Sequence, residues 1–256
     1  MANFFPTKIK KLLFVVLMIL LAKEVVNSQK TTSFSISNFS ADKSSIILQG
    51  SAKISSSGTL ALTDPNDKLI VGHALYTTPV SIWDSSTGNV VSFITSFSFI
   101  LDNFGTTTPA DGLVFFLAPT NTQIPNNSTG GKLGLVDESF AFNQFVGVEF
   151  DNYVNTWDPK YSHIGINVNS LMSLKTATWN RVNHALVSVS IAYDSNSKIL
   201  SVVLTDNNGQ LSTIAHVVDF KEVLPETVRI GFSASTSGPS RQVHTIQSWS
   251  FSSVLI

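Results

Sequence analysis

Within fifteen residues the chain gathers Glu149, Asp151, Tyr153, Asn155, Asp158 and His163, a set rich in oxygen donors with one imidazole. If Phe145 to Asp151 is a strand, its period of two sends Val146, Val148 and Phe150 to one face and Glu149 and Asp151 to the other. Two carboxylates held side by side repel each other unless a proton or a cation separates them. Tyr153, Asn155 and Asp158 follow on a polar loop, and His163 opens a run in which Ile164, Ile166 and Val168 alternate. His163 then shares the carboxylate face. The donors sort by hardness into two sites. Asp151, Asn155, Asp158 and the Tyr153 carbonyl suit Ca2+, while Glu149, Asp151, Asp158 and His163 suit an octahedral ion such as Mn2+. Asp151 and Asp158 would bridge the two. Taken singly, each residue has a plainer reading as a solvated strand-edge charge or a core histidine; their convergence weighs against it.

A catalytic carboxylate pair is the rival chemistry. Glucanases of a similar sandwich fold carry Glu and Asp at alternating strand positions with a further Glu shortly after. Here Asn152, Tyr153, Val154 and Asn155 follow Asp151, so the third carboxylate is missing and no enzyme is expected.

The elements that must hold these groups read as short strands. Phe93, Thr95, Phe97, Phe99 and Leu101 alternate with Ser92, Ile94, Ser96, Ser98 and Ile100. Val187, Val189, Ile191 and Tyr193 alternate with Ser188, Ser190 and Ala192, and Ile246, Ser248 and Ser250 with Gln247, Trp249 and Phe251. Asp194-Ser195-Asn196 and Asn207-Asn208-Gly209 interrupt such runs as hairpin turns do. Leu113 to Leu117 and Val146 to Phe150 are continuously apolar, which places them mid-sheet. Helix is expected only as single turns, one of them near Glu222-Val223-Leu224. The implied fold is all-β, a two-sheet antiparallel β-sandwich.

Lys8, Lys10 and Lys11 precede an apolar run from Leu12 to Ala22, with Val26-Asn27-Ser28 as a cleavage region. Residues 1–28 therefore read as a secretory signal peptide, because eleven residues of helix span only about 16 Å. Residues 29–256 then form one domain, expected in the secretory pathway and finally outside the cell or in a vacuole. No later segment reaches membrane-spanning length, and a chain ending at Ile256 without a span or kinase speaks against a receptor ectodomain. The formal net charge of -1 becomes about -4 without residues 1–28, and no basic stripe is present, so no nucleic-acid partner is expected. The chain has no Cys. A domain of this size can bury enough apolar surface to fold without disulfides.

From about Thr32 to Phe251 the chain resembles the legume lectins. The resemblance is carried by the ligand string from Glu149 to His163, ADGLVFFLAP from Ala110, STGGKLGL from Ser128, and the closing GFSAS and SWSF stretches. It implies a concanavalin-like jelly roll that binds glycans on glycoproteins or glycolipids without catalysis, with Ca2+ and Mn2+ on the two ligand sets above. Ser173 matches a position that orients a metal-bound water. Further implications are a homodimer or homotetramer and a cis bond between Ala110 and Asp111.

A sugar presents hydroxyls that donate and accept, on a ring with an apolar face. Asp111 would accept from two hydroxyls, Gly131 would bring its amide close, Asn155 would give its oxygen to Ca2+ and its NH2 to sugar, and Tyr153 would offer its ring. The plainer alternatives are a turn Asp, a flexible glycine turn and an ordinary loop aromatic. The closing loop from Ser235 to His244 ends in RQVH, similar to a galactose-binding member of the family, with Ser237 as a hydroxyl contact. It departs from that member at Gly238, Pro239 and Thr108, and the glycine turn is one residue shorter. Galactose is favoured over mannose or glucose; a glycoside hydrolase and a defence or storage relative that binds no sugar are the other readings. Asn38, Asn126 and Asn127 head glycosylation acceptor triplets.

Overall fold

The structure is a computed structural model that describes residues 30–255, except Pro65, residues 67–69, Pro109, residues 138–143, Asn207, Gly238 and Pro239. The expected signal segment, 1–28, lies outside the described residues. Among the described residues no helix is long and apolar enough to cross a membrane.

In chain order the strands are β1 (Lys30–Ile36), β2 (Ile46–Gly50), β3 (Lys53–Ile54), β4 (Leu60–Ala61), β5 (Ile70–Tyr76), β6 (Val80–Ser81), β7 (Val91–Asp102) and β8 (Gly112–Pro119). They continue as β9 (Val146–Asp151), β10 (His163–Val168), β11 (Lys175–Thr178), β12 (Leu186–Asp194), β13 (Ile199–Thr205), β14 (Leu211–Val217), β15 (Thr227–Thr236) and β16 (Val243–Leu255). Among the described residues helix is limited to two 3-10 turns, Lys43–Ser45 and Gly130–Lys132, and one short α-helix, α1 (Phe220–Val223), capped by Asp219, whose side chain accepts from the Lys221 amide. α1 is the single turn expected near Glu222.

The strands form two sheets with antiparallel pairing. The first runs β14-β13-β12-β7-β16-β4-β3 with β1 against β16, and the second runs β11-β10-β9-β8-β15-β5-β2 with β6 against β15. The sheets pack through aromatic side chains. Phe97 on β7 meets Phe232 on β15 edge to face at 4.9 Å, and Phe99 on β7 meets Phe150 on β9 at 5.2 Å. Such geometry suits the ring quadrupoles and fills the gap between the sheets. β7 alternates buried and partly exposed residues along its whole length, as its sequence period requires.

β16 corrects one reading. Ile246 is buried together with Trp249 and Phe251, and does not share the half-buried face of Ser248 and Ser250. The register against β7 shifts between Ile246 and Ser248, and the extra residue of that bulge changes which face the strand presents.

β8 and β9 lie mid-sheet, and both of their faces are covered. Leu113, Phe115 and Leu117 enter the main core, while Val114, Phe116 and Ala118 pack in a second apolar cluster with Leu133, Leu135, Val136, Phe145 and Leu171. This explains the unbroken apolar text of β8. The segment after the glycine turn lies over the outer face of the second sheet and closes it from water.

Candidate functional site

Antiparallel pairing sets the acid cluster. Asp151 on β9 is flanked by His163 on β10 and Gly112 on β8, and Glu149 by Gly165 and Val114. Directly paired residues point to the same face, so Glu149, Asp151 and His163 share it. All three are buried, which rules out solvated strand-edge charges. The flanking glycines leave room for them: a Cβ at Gly165 would collide with Glu149 Oε1 and Ser173 Oγ. Ser173 donates to Glu149 Oε1, and His163 Nε2 bonds the same oxygen at 3.0 Å. The loop after β9 is folded by these carboxylates. Asp151 Oδ1 accepts from the Tyr153 amide at 2.7 Å, and Asp158 Oδ2 accepts from the Asn155 amide at 2.7 Å.

The electrostatics point to a cation. Burial, then the charges of Glu149, Asp158 and Asp111, push the Asp151 carboxyl well above its ordinary range. Burial and Glu149 also raise Asp158, against the Asn155 amide and His163. Burial alone would lower the His163 imidazole, yet its bond to Glu149 and the charges of Glu149 and Asp158 raise it. Among the described residues no three His, Asp or Glu side chains already form a ready metal cage. Asn155 Oδ1 is nevertheless buried with no hydrogen-bond partner. A buried oxygen of that kind costs stability unless something satisfies it. The donor set fits a divalent cation.

A second cluster lies beside the first. The Ala110–Asp111 peptide is cis, in agreement with the resemblance. Asp111 is held through its backbone: its N–H donates to the Ser235 carbonyl at 3.0 Å, and its carbonyl accepts from the Asn152 amide at 3.2 Å. Its Oδ1 faces Ser237 Oγ at 3.5 Å, while Oδ2 is buried without a partner. Burial pushes this carboxyl up to about 7, opposed by the Ser237 hydrogen bond. Gly130 has φ +70, and a Cβ there would lie 3.1 Å from Ser237 Cβ and 3.8 Å from Asp111 Oδ2. At Gly131 a Cβ would lie 2.5 Å from both Asn155 Nδ2 and Oδ1. The two glycines thus bring the turn against Asp111, Ser237 and Asn155 together. Tyr153 is 43% exposed, so its ring is open to solvent.

Residues not singled out from sequence hold this arrangement. Ser235 Oγ accepts from the Gly130 amide at 2.7 Å, and Ser233 Oγ donates to the Leu133 carbonyl. Both serines alternate with core residues in GFSAS, the signal that could have marked them. Asn152 and Gln242 form a carboxamide pair behind Asp111. Gly238 and Pro239 of the closing loop lie outside the described residues. Asn38, Asn126 and Asn127 are exposed.

Comparison with known proteins places the chain in a family. The family model described as the legume lectin domain matches residues 31–255. The anti-H(O) lectin of Lotus tetragonolobus is 56% identical over 233 residues, covering 87% of this chain and 97% of that protein. The galactose-binding lectin of Arachis hypogaea is 48% identical over 242 residues, covering 94% and 89%. A structure of peanut lectin with a nine-residue peptide superposes with a TM-score of 0.86 at 50% identity, covering 89% of this chain and 99% of that one. Members of this family bind metal ions. The chain belongs to the legume lectin family and is a carbohydrate-binding lectin without catalytic activity.

Proposed function

We propose that the chain binds galactose-type sugars through Asp111, Gly131, Tyr153, Asn155 and Ser237, with two cations behind them. Ca2+ is held by Asp151, the Tyr153 carbonyl, Asn155 and Asp158, and Mn2+ by Glu149, Asp151, Asp158 and His163. The cations neutralise the buried carboxylates and draw the Asn155 oxygen inward, which leaves its NH2 for sugar. One observation carries the reading: Asp111 Oδ2 and Asn155 Oδ1 are both buried and unpartnered around a turn in which only glycine fits. Galactose is preferred because the closing loop ends in RQVH, as noted above, and the Arachis hypogaea relative is a galactose-binding lectin. The positively charged start and apolar run of the N-terminus support delivery to the secretory pathway.

Titration calorimetry with galactose and mannose, on metal-loaded and metal-free protein, tests this. Tighter binding of galactose that depends on metal is expected. Tighter binding of mannose would reverse the specificity, and binding of neither would overturn the site.

A further inference from the structure

Gln242 is fully buried immediately before β16. Its Nε2 donates to Asn152 Oδ1 at 2.9 Å and to Asn103 Oδ1 at 3.3 Å, and its Oε1 accepts from Asn152 Nδ2 at 3.1 Å. The two carboxamides therefore pair reciprocally. Asn152 passes the link on, since its side-chain Nδ2 and its backbone N–H both donate to the Asp111 carbonyl. Asn103 is fixed in turn by Arg181, which donates to its Oδ1 and, at 3.2 Å, to the Leu101 carbonyl. Gln242's own carbonyl accepts from Thr63 Oγ1 at 2.8 Å.

Three segments are joined through this one side chain: the closing loop that carries Ser237, the loop after β9 at Asn152, and the β7–β8 connection, directly at Asn103 and through Asn152 at Asp111. We infer that Gln242 is a positioning residue for sugar binding, whose carboxamide sets the gap between the closing loop and the Asp111 and Asn155 walls without touching sugar. This rests on the reading that those residues form the sugar site. A buried carboxamide with a partner at each end has one orientation open to it. Without it, Asn152 loses the bonds that aim its Nδ2 at the Asp111 carbonyl. The closing loop then keeps its chain connection to β16 but loses its register with Asp111.

Calorimetry with galactose on the metal-loaded, full-length mature protein tests the inference. Gln242→Met keeps the length of the side chain and removes all three bonds; affinity should fall at least tenfold with metal content unchanged. Asn103→Ala removes one arm only and should cost about threefold. Thr95→Val, in the middle of the first sheet, removes the 3.0 Å bond from Trp249 Nε1 and serves as the control: it should lower the melting temperature without weakening galactose binding. An affinity for Gln242→Met within twofold of wild type would overturn the inference, as would an equal loss in Thr95→Val. If Gln242→Met does not fold, Asn103→Ala decides, and wild-type affinity there is equally fatal. A wild-type protein that binds no hexose overturns the site reading itself and this inference with it.

Discussion

Asp151 stands directly opposite His163 across the β9–β10 pair, and Glu149 bonds the same imidazole from one step along β9. Without a cation this arrangement packs Glu149, Asp151 and Asp158 together with one imidazole to offset them. Chelation should therefore remove sugar binding and lower the melting temperature together. A cation present at a hundred times its dissociation constant contributes about 2.7 kcal/mol to folding. Both properties should return when Ca2+ and Mn2+ are restored. Undiminished glycan binding by a verified metal-free sample is the contrary result.

Asp111→Asn should weaken galactose at least tenfold, equivalent to about 1.4 kcal/mol. The substitution keeps the size and replaces one acceptor oxygen with a donor, where charge-assisted hydrogen bonds are each worth about 1.5–3 kcal/mol. Metal content and melting temperature should stay near wild type, because the shorter contacts that hold Asp111 use its backbone and Asn keeps an acceptor for the 3.5 Å contact with Ser237 Oγ. Calorimetry and metal analysis on one sample check both; lost metal would reassign Asp111 to scaffolding.

Gly131→Ala places a methyl group 2.5 Å from the Asn155 carboxamide. Asn155 must turn away, so galactose affinity should drop more than tenfold and Ca2+ affinity should fall with it. Near-native circular dichroism is expected, since the clash falls on the Asn155 side chain and not on either sheet. Unchanged calorimetric binding would show that Asn155 does not contact sugar from its present position.

Burial lowers His73 to about 4 against its bond to the Gly134 carbonyl. A depressed imidazole means that the unfolded chain binds more protons between pH 6.5 and about 4, so this contribution is complete above 6.5 and is lost as the pH falls through 4. Over that window it removes about 1.4 kcal/mol per pH unit. Asp151 and Asp158, raised in the folded state, act in the opposite sense, so the comparison must be between variants. His73→Gln keeps a donor for Gly134, and its urea-unfolding stability should fall less steeply with acid by that slope. Parallel slopes for variant and wild type would contradict it.

Asn38, Asn126 and Asn127 are all exposed, and the last two share overlapping acceptors. Protein expressed through a eukaryotic secretory route should carry glycan at Asn38 and at one of the other pair. Intact mass before and after glycosidase treatment reads this directly, and an unchanged mass refutes it.

Much of the site was legible because the strand period assigns faces without any tertiary knowledge. Val146, Val148 and Phe150 had to oppose Glu149 and Asp151, and His163 had to join the latter once Ile164 and Ile166 were assigned inward. The same logic misread Ile246, since a bulge inserts one residue and no local composition announces it. Gln242 and Asn152 were invisible for a different reason. They are separated by 90 residues, and a carboxamide reveals its role only through its partner.

The small apolar cluster under Leu133, Leu135 and Val136 gives the glycine turn its own source of rigidity. If the proposed site is the sugar pocket, one of its walls rests on a cluster that can open locally, apart from the core between the sheets. Amide hydrogen exchange in the Gly130–Val136 segment should then report the population of proteins able to bind, even while Phe97, Phe150 and Phe232 remain packed. The apparent affinity for sugar would scale with that population, so temperature could tune avidity below the point where the sandwich melts.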